Sequence, residues 1–275
     1  MGSSSLDDSS SDVSPGPRLS PFPRGATAPP TPASSPGRHA AEWVVVVPVL
    51  DEAPALPALL VEVCGTSGLL ERLVFVDNGS TDGSAALIVA AGGVVVFEPR
   101  RGYDFACAAG VAAARDRGAR VVAFMEADGT DDPADLARLV GPVLAGDVGL
   151  MVGSRSRRVR RAAGMPWHQR AGNDVVATSL RGLFGLRLPD NGPFRAVDLA
   201  LLDRLDMQPR GFAWTTEMLV KAQVAGARIA WTETGYRPRA GRSKIAGSFW
   251  GTLRAARDIE RTLVRLWWRS AWREG

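Results

Sequence analysis

Val121-Val122-Ala123-Phe124-Met125-Glu126-Ala127-Asp128-Gly129 is the stretch on which the reading of this chain turns. Its first five residues are apolar and partly β-branched, which reads as a buried strand. The strand stops at two carboxylates two positions apart, and the glycine after them permits a turn. Two acids at a strand terminus can direct oxygens to one divalent cation held against substrate phosphates. An acid-x-acid triplet also suits a solvated turn, so its weight depends on what surrounds it.

Outward from this stretch, the short runs Trp43 to Val47, Leu73 to Val76, Val94 to Phe97 and Gly149 to Val152 alternate with Ala- and Leu-rich segments of helical length. That alternation is the α/β signature: a mostly parallel central sheet with helices on both faces, a three-layer sandwich. Ligands of such sheets bind outside the carboxyl ends of the strands. Those ends carry Pro48 to Glu52, Asp77 to Asp82, Pro99 to Tyr103, Glu126 to Asp132 and Gly153 to Arg155. Acids recur there, and burying them is costly unless cations or polar ligands meet them. Asp131-Asp132-Pro133 reads as a helix start, with Asp132 favourable ahead of the proline.

Past Arg155 the pattern changes. Arg155, Arg157, Arg158, Arg160, Arg161 and Arg170 fall in a segment with no acid between Asp147 and Asp174, and Gly164 and Pro166 mark it as a loop. A helical stretch from Asn173 to Leu183 follows, then Asp190-Asn191-Gly192-Pro193-Phe194-Arg195, then a helix containing Glu217. Tyr236 to Lys244 forms a second basic loop. From Ser248 to Trp268 the chain is amphipathic at helical period, with Phe249, Leu253, Ala256, Ile259, Leu263, Leu266 and Trp267 on one face. Arg254, Arg257, Arg261, Arg265 and Arg269 gather opposite, the pattern of an interfacial helix. Ten Lys and Arg against three acids between Arg237 and Gly275 would attract an anionic leaflet.

The chain thus divides into a Ser/Pro/Gly-rich tail over 1–40, expected to be disordered, a catalytic-sized α/β domain over 41–247 and a basic amphipathic helix over 248–275. The tail lacks the apolar core of a secretory signal. Among 275 residues, 45% are hydrophobic, enough for a sizeable core. Cys64 and Cys107 lie in apolar helical segments and read as core filler in a reducing cytoplasm. His39 and His168 show no zinc spacing. No apolar run of about 18 residues spans a bilayer. A net charge of +4 suggests an anionic partner, but the basic loops lack interleaved aromatics, so nucleic acid is not expected.

Taken in order, Pro48-Val49-Leu50-Asp51-Glu52, Val76 to Gly83, Arg101-Gly102-Tyr103, Glu126-Ala127-Asp128-Gly129, Gly153-Ser154-Arg155, Arg195 and Gly241-Arg242-Ser243-Lys244 form one known set. They resemble family 2 glycosyltransferases of the GT-A fold, above all the dolichyl- or polyprenyl-phosphate sugar transferases, from about Trp43 to Gly247. Trp167 to Asn173 also resembles a stretch of bacterial members. The resemblance implies a nucleoside-diphosphate sugar as donor, bound by Pro48, Leu50, Glu52, Asp77, Asn78, Ser80, Asp104 and Ala127. It places Mg²⁺ or Mn²⁺ on Glu126 and Asp128; catalytic roles are expected of Asp128, Arg195 and Glu217, and the charges of Arg155, Arg237, Arg242 and Lys244, with Ser243, would position an acceptor phosphate. It further implies inversion at the anomeric carbon. Three residues depart from the family pattern: Asp51 stands for Asn, Asp104 for the second Gly of Gly-Tyr-Gly, and Glu126 for the first Asp of the metal motif. Glu is one methylene longer and still reaches a metal.

Proton chemistry separates the possible acceptors. A sugar hydroxyl needs a general base, for which Glu217 or Asp190 would have to be in reach. A polyprenyl phosphate is largely dianionic at pH 7 and needs cationic positioning instead. The basic loops and basic helix favour the lipid phosphate and an enzyme on the cytoplasmic membrane surface, with a separate transmembrane protein as a possible partner, and the resemblance implies a hexose, mannose or glucose, as the sugar transferred. The alternatives are a hydroxyl acceptor or a non-catalytic sugar-nucleotide-binding relative.

Overall fold

The computed structural model describes residues 41–208, 213–239 and 249–271; the expectations for the tail and for Arg242, Ser243 and Lys244 lie outside the described residues. Strands β1 (Trp43–Val49), β2 (Leu73–Asp77), β3 (Val94–Phe97), β4 (Val121–Phe124), β5 (Leu150–Ser154), β6 (Arg195–Asp198) and β7 (Ile229–Glu233) form one sheet in the order β3-β2-β1-β4-β6-β5-β7. Helices α1 (Leu56–Gly65), α2 (Ser84–Ala90), α3 (Tyr103–Asp116) and α4 (Leu136–Leu144) separate the first five strands. Then come α5 (Arg157–Ala162), α6 (Trp167–Phe184), α7 (Leu199–Arg204), α8 (Trp214–Val224) and α9 (Phe249–Ala271).

The alternation of side chains along β1 shows why the sheet is sandwiched. Val44 and Val46 face a core built with Val111 and Ala114 of α3, Leu180 of α6 and Met218 of α8. Val45, Val47 and Val49 face the other, with Leu56 and Leu59 of α1 and Leu139 and Val143 of α4. The strand is apolar throughout because both faces are covered. Gly110 lets α3 lie against β1, since a Cβ there would stand 2.2 Å from Val46 Cγ1.

All five expected strands are present, and β6 and β7 are additional. β6 runs antiparallel to both β4 and β5. Its sequence, Arg195-Ala196-Val197-Asp198, carries a charge at each end and lacks the apolar signature of a central strand. The expected basic loop is also corrected. Ser156 Oγ accepts the Val159 N–H and starts α5, and Gly164, at φ 72°, separates it from α6, which begins at Trp167 rather than Asn173. Arginine is a good helix former, so the run of Arg residues did not forbid helix. Cys107 is buried as expected, whereas Cys64 is exposed.

The amphipathic segment is helical, and the described part of its apolar side largely meets protein. α9 packs on α6 and α8, Leu263 is fully buried, and Ile259 and Leu266 join the same core. Of the face expected at an interface, Ile259, Leu263 and Leu266 thus pack on protein, whereas Trp267 is exposed. Arg257, Arg261, Val264, Arg265, Trp267 and Trp268 are exposed. Among the described residues, no helix is long and apolar enough to cross a membrane.

Candidate functional site

The chain leaves β1 for β2 and β3 on one side and returns to β4 on the other, so the strand order reverses between β1 and β4. Loops leaving the carboxyl ends of two such strands part and open a crevice. Val46 pairs with Phe124 in parallel register, so the loop carrying Glu52 after β1 and the loop carrying Glu126 and Asp128 after β4 leave the same edge of the sheet side by side. Topology alone therefore brings these three acids to one place.

The β1 side is tied to β2 by polar contacts. Asp51, at φ 48°, accepts the Thr81 N–H at 2.6 Å through Oδ1, and its own N–H donates to Ser80 Oγ at 3.0 Å. The Glu52 N–H donates to Ser84 Oγ at 2.9 Å. Asp77 ends β2 and accepts the Ser80 N–H at 3.0 Å. Pro48 and Leu50 are half-buried beside them and Ala127 is buried across the crevice. Asn78, expected on the donor, instead places its amide on the protein: Nδ2 donates to the carbonyls of Glu98 and Arg100, and Oδ1 accepts the Gly102 N–H. It fastens the loop that leads into α3, where Asp104 sits buried in the first turn.

On the β4 side, Gly129 takes φ 78°, a conformation that favours glycine. The turn lets Asp128 Oδ1 accept both the N–H and the hydroxyl of Thr130, at 2.9 and 2.7 Å. Asp131 Oδ2 accepts the Glu126 N–H at 3.0 Å, so a third carboxylate joins the pair. Asp132 caps the next turn by accepting the Ala134 N–H, as the sequence led one to expect. Burial, then Asp128 and Asp131, pushes the Glu126 carboxyl well above its ordinary range. Burial likewise raises Asp131 to about 7, against the Glu126 N–H and Arg155.

These shifts fix the sign of a pH dependence. Between about pH 4 and 7 the folded chain retains a proton on Asp131 that the unfolded chain, with an ordinary value of 3.8, has lost. Stability contributed here therefore falls as pH rises through that window. In chelator, the protein is expected to melt at a higher temperature at pH 5 than at pH 8, with a smaller difference in Asp131→Asn. An unchanged difference in that variant, measured by calorimetry, would remove Asp131 from the account.

A divalent ion fits the chemistry of Glu126 and Asp128. Their acids crowd one another, and Asp128 Oδ2 already faces a cation, lying 3.0 Å from Arg239 Nη1. Among the described residues no group of three or more His, Cys, Asp or Glu forms a metal cage by itself. Mg²⁺ is ordinarily held by one or two carboxylates, with substrate phosphates and water completing the shell.

The basic residues divide by direction. Arg155 Nε donates to Asp190 at 2.6 Å, with the guanidinium 5.1 Å from the Tyr236 ring centroid. Arg237 bridges Glu62 and Asp132 at 2.6 and 2.7 Å. Arg160, part of the expected basic loop, is buried against Asp174. Arg195, expected to be catalytic, is fully buried; it donates to the Thr215 carbonyl at 2.7 Å, to Asn191 Oδ1 and to the Gly192 carbonyl. Burial pulls its guanidinium down to about 10. Glu217 is buried and paired with Lys221 at 2.7 Å. Sequence reading missed Arg239, which reaches both walls of the crevice. The only sequence signal was its place two residues after Arg237, and a loop has no fixed period from which to tell their directions apart.

Residues 44–207 match the profile of Glycosyl transferase family 2. The chain is 37% identical over 218 residues to an uncharacterized glycosyltransferase of Mycobacterium tuberculosis, covering 78% of this chain and 94% of that one. It is 28% identical over 220 residues to the polyprenol monophosphomannose synthase of Mycolicibacterium smegmatis, covering 74% and 81%. Its fold is similar to that of glucosyl-3-phosphoglycerate synthase from Mycobacterium tuberculosis, solved with Mn²⁺, uridine diphosphate and phosphoglyceric acid, with TM-score 0.64, 23% identity and coverage of 86% and 84%. The acids at the β1–β4 crevice thus lie within a matched segment longer than half the chain, and with the extent of the first relative they establish that this protein is a glycosyltransferase and belongs to family 2.

Proposed function

We propose that the protein transfers a hexose, mannose or glucose, from a nucleoside-diphosphate sugar to a polyprenyl phosphate at the cytoplasmic membrane face. The observation that carries the acceptor choice is the state of the two candidate bases. Asp190 is paired with Arg155 and Glu217 with Lys221, so each carboxylate is already engaged by a cation. A hydroxyl acceptor needs such a base; a phosphate dianion does not.

Glu52 and Asp77 line the nucleotide side and offer carboxylate acceptors to base and ribose donors. Glu126 and Asp128 would hold Mg²⁺ or Mn²⁺, which supplies charge neutralisation for the departing nucleoside diphosphate. Arg155, half-buried at the end of β5, would orient the incoming phosphate, and Asp190 and the Tyr236 ring fix its direction. The exposed Arg257, Arg261 and Arg265, with Val264, Trp267 and Trp268, give the protein a face suited to an anionic leaflet, at about 1 kcal/mol per basic residue close to the surface. The mannosyl-transferring relative from Mycolicibacterium smegmatis supports this reading by its name.

A hydroxyl acceptor is the second reading, favoured by one detail: Asp190 Oδ1 is buried and has no hydrogen-bond partner. The test is to incubate the protein, Mn²⁺ or Mg²⁺ and radiolabelled nucleotide sugars with short polyprenyl phosphate, then count label in the organic extract. Label from one donor supports the lipid acceptor. Metal-dependent nucleotide release without extractable label would retain the donor site and discard the lipid.

A further inference from the structure

After β7 the chain crosses the carboxyl ends of the central strands as a strap, Thr234 to Arg239. Its backbone is anchored at three points. The Thr234 N–H donates to the Ser154 carbonyl at 3.1 Å, the Gly235 N–H to Asp135 Oδ2 at 2.8 Å, and the Arg237 N–H to the Thr130 carbonyl at 3.0 Å. The Arg237 side chain adds Glu62 and Asp132. From this strap Arg239 enters the crevice, with Nη2 2.6 Å from Glu52 Oε1 and Nη1 3.0 Å from Asp128 Oδ2. Its Nε is buried and makes no hydrogen bond.

Asp128 has two carboxylate oxygens, and the structure accounts for both. Oδ1 accepts the two Thr130 donors, which leaves Oδ2 for a cation, and Arg239 is the cation there. A divalent ion at Asp128 would require the same oxygen. A guanidinium is a weaker partner than Mg²⁺ or Mn²⁺ for a single carboxylate oxygen, and the idle Nε leaves its own hydrogen bonding incomplete.

We propose that Arg239 is a resident counter-cation of the donor site: without ligand it joins Asp128 to Glu52 across the crevice, and it competes with the divalent ion for Asp128. The proposal rests on Glu126 and Asp128 being the metal acids. It makes metal entry and withdrawal of the Arg239 side chain from Asp128 one event, because the ion takes the oxygen that the guanidinium held, while the backbone anchors and Arg237 keep the strap in place. The acids then carry a cation in either state, which avoids the cost of leaving buried carboxylates uncompensated.

The experiment is a Mn²⁺ titration of the full chain without nucleotide, reading free Mn²⁺ by its paramagnetic resonance. Arg239→Gln is expected to bind Mn²⁺ roughly three- to tenfold more tightly than the unsubstituted protein, the range of a partly exposed ion pair. Arg237→Gln, which loosens the strap without touching Asp128, should give a smaller gain of the same sign. Asp128→Asn should lose the binding. Unchanged or weaker binding in both arginine variants overturns the counter-cation, and if Arg239→Gln fails to fold by circular dichroism, Arg237→Gln decides alone. Unaltered binding in Asp128→Asn would instead show that the metal reading is wrong, and this proposal falls with it.

Discussion

Asp128→Asn is expected to lower sugar transfer, measured as kcat/KM, on the order of 10³-fold, with little change in melting temperature. Asparagine keeps an oxygen where Oδ1 accepts the Thr130 N–H and hydroxyl, so the turn after β4 keeps its cap. What disappears is the charge on Oδ2, the oxygen turned toward Arg239 and, on the proposed reading, toward the metal. Loss of one metal acid removes stabilisation from the leaving diphosphate at the moment its charge develops, which is why the effect falls on the chemical step. Asp128→Ala should lose as much transfer and also some stability, because the Thr130 donors lose their acceptor. A variant Asp128→Asn that turned over at the unsubstituted rate would remove the acid from the mechanism.

The second large effect is on stability. Arg195→Met is expected to destabilise the protein by about 3–5 kcal/mol, by leaving the Thr215 and Gly192 carbonyls without their donor in a buried place. At roughly 2–4 °C per kcal/mol for a domain of this size, the melting temperature should fall by about 10 °C. Arg195 opens β6, between β4 and β5, and its guanidinium reaches back to the loop before it and to the start of α8. Its loss would therefore loosen the antiparallel strand that joins the two halves of the sheet. At a temperature where the variant is folded, transfer per folded molecule should stay within a fewfold of normal. The opposite result, an unchanged melting temperature with transfer abolished, would restore the catalytic role that the motif suggested.

The buried parallel strands were legible because a strand covered on both faces must be apolar along its length, and β1, β2, β4 and β5 all announce themselves that way. β6 was hidden because a charged residue at each end contradicts that pattern, and only the surrounding carbonyls make the Arg195 end tolerable. In α9 the 3.6-residue period revealed the helix and its two faces but not what the apolar face meets. A lipid surface and the flank of α6 and α8 select the same side chains.

By itself, then, the sequence determined the α/β sandwich, the family and the acids at the strand ends, since these follow from local periodicity and from motifs a few residues long. Tertiary structure alone decided how the charges pair. Glu52, Asp128 and Arg239 are separated by 76 and 111 residues along the chain, yet they meet within 3.0 Å, because β1 and β4 are neighbours and the strap after β7 crosses both. An ion pair depends on distance in space, and spacing in a loop carries no information about it.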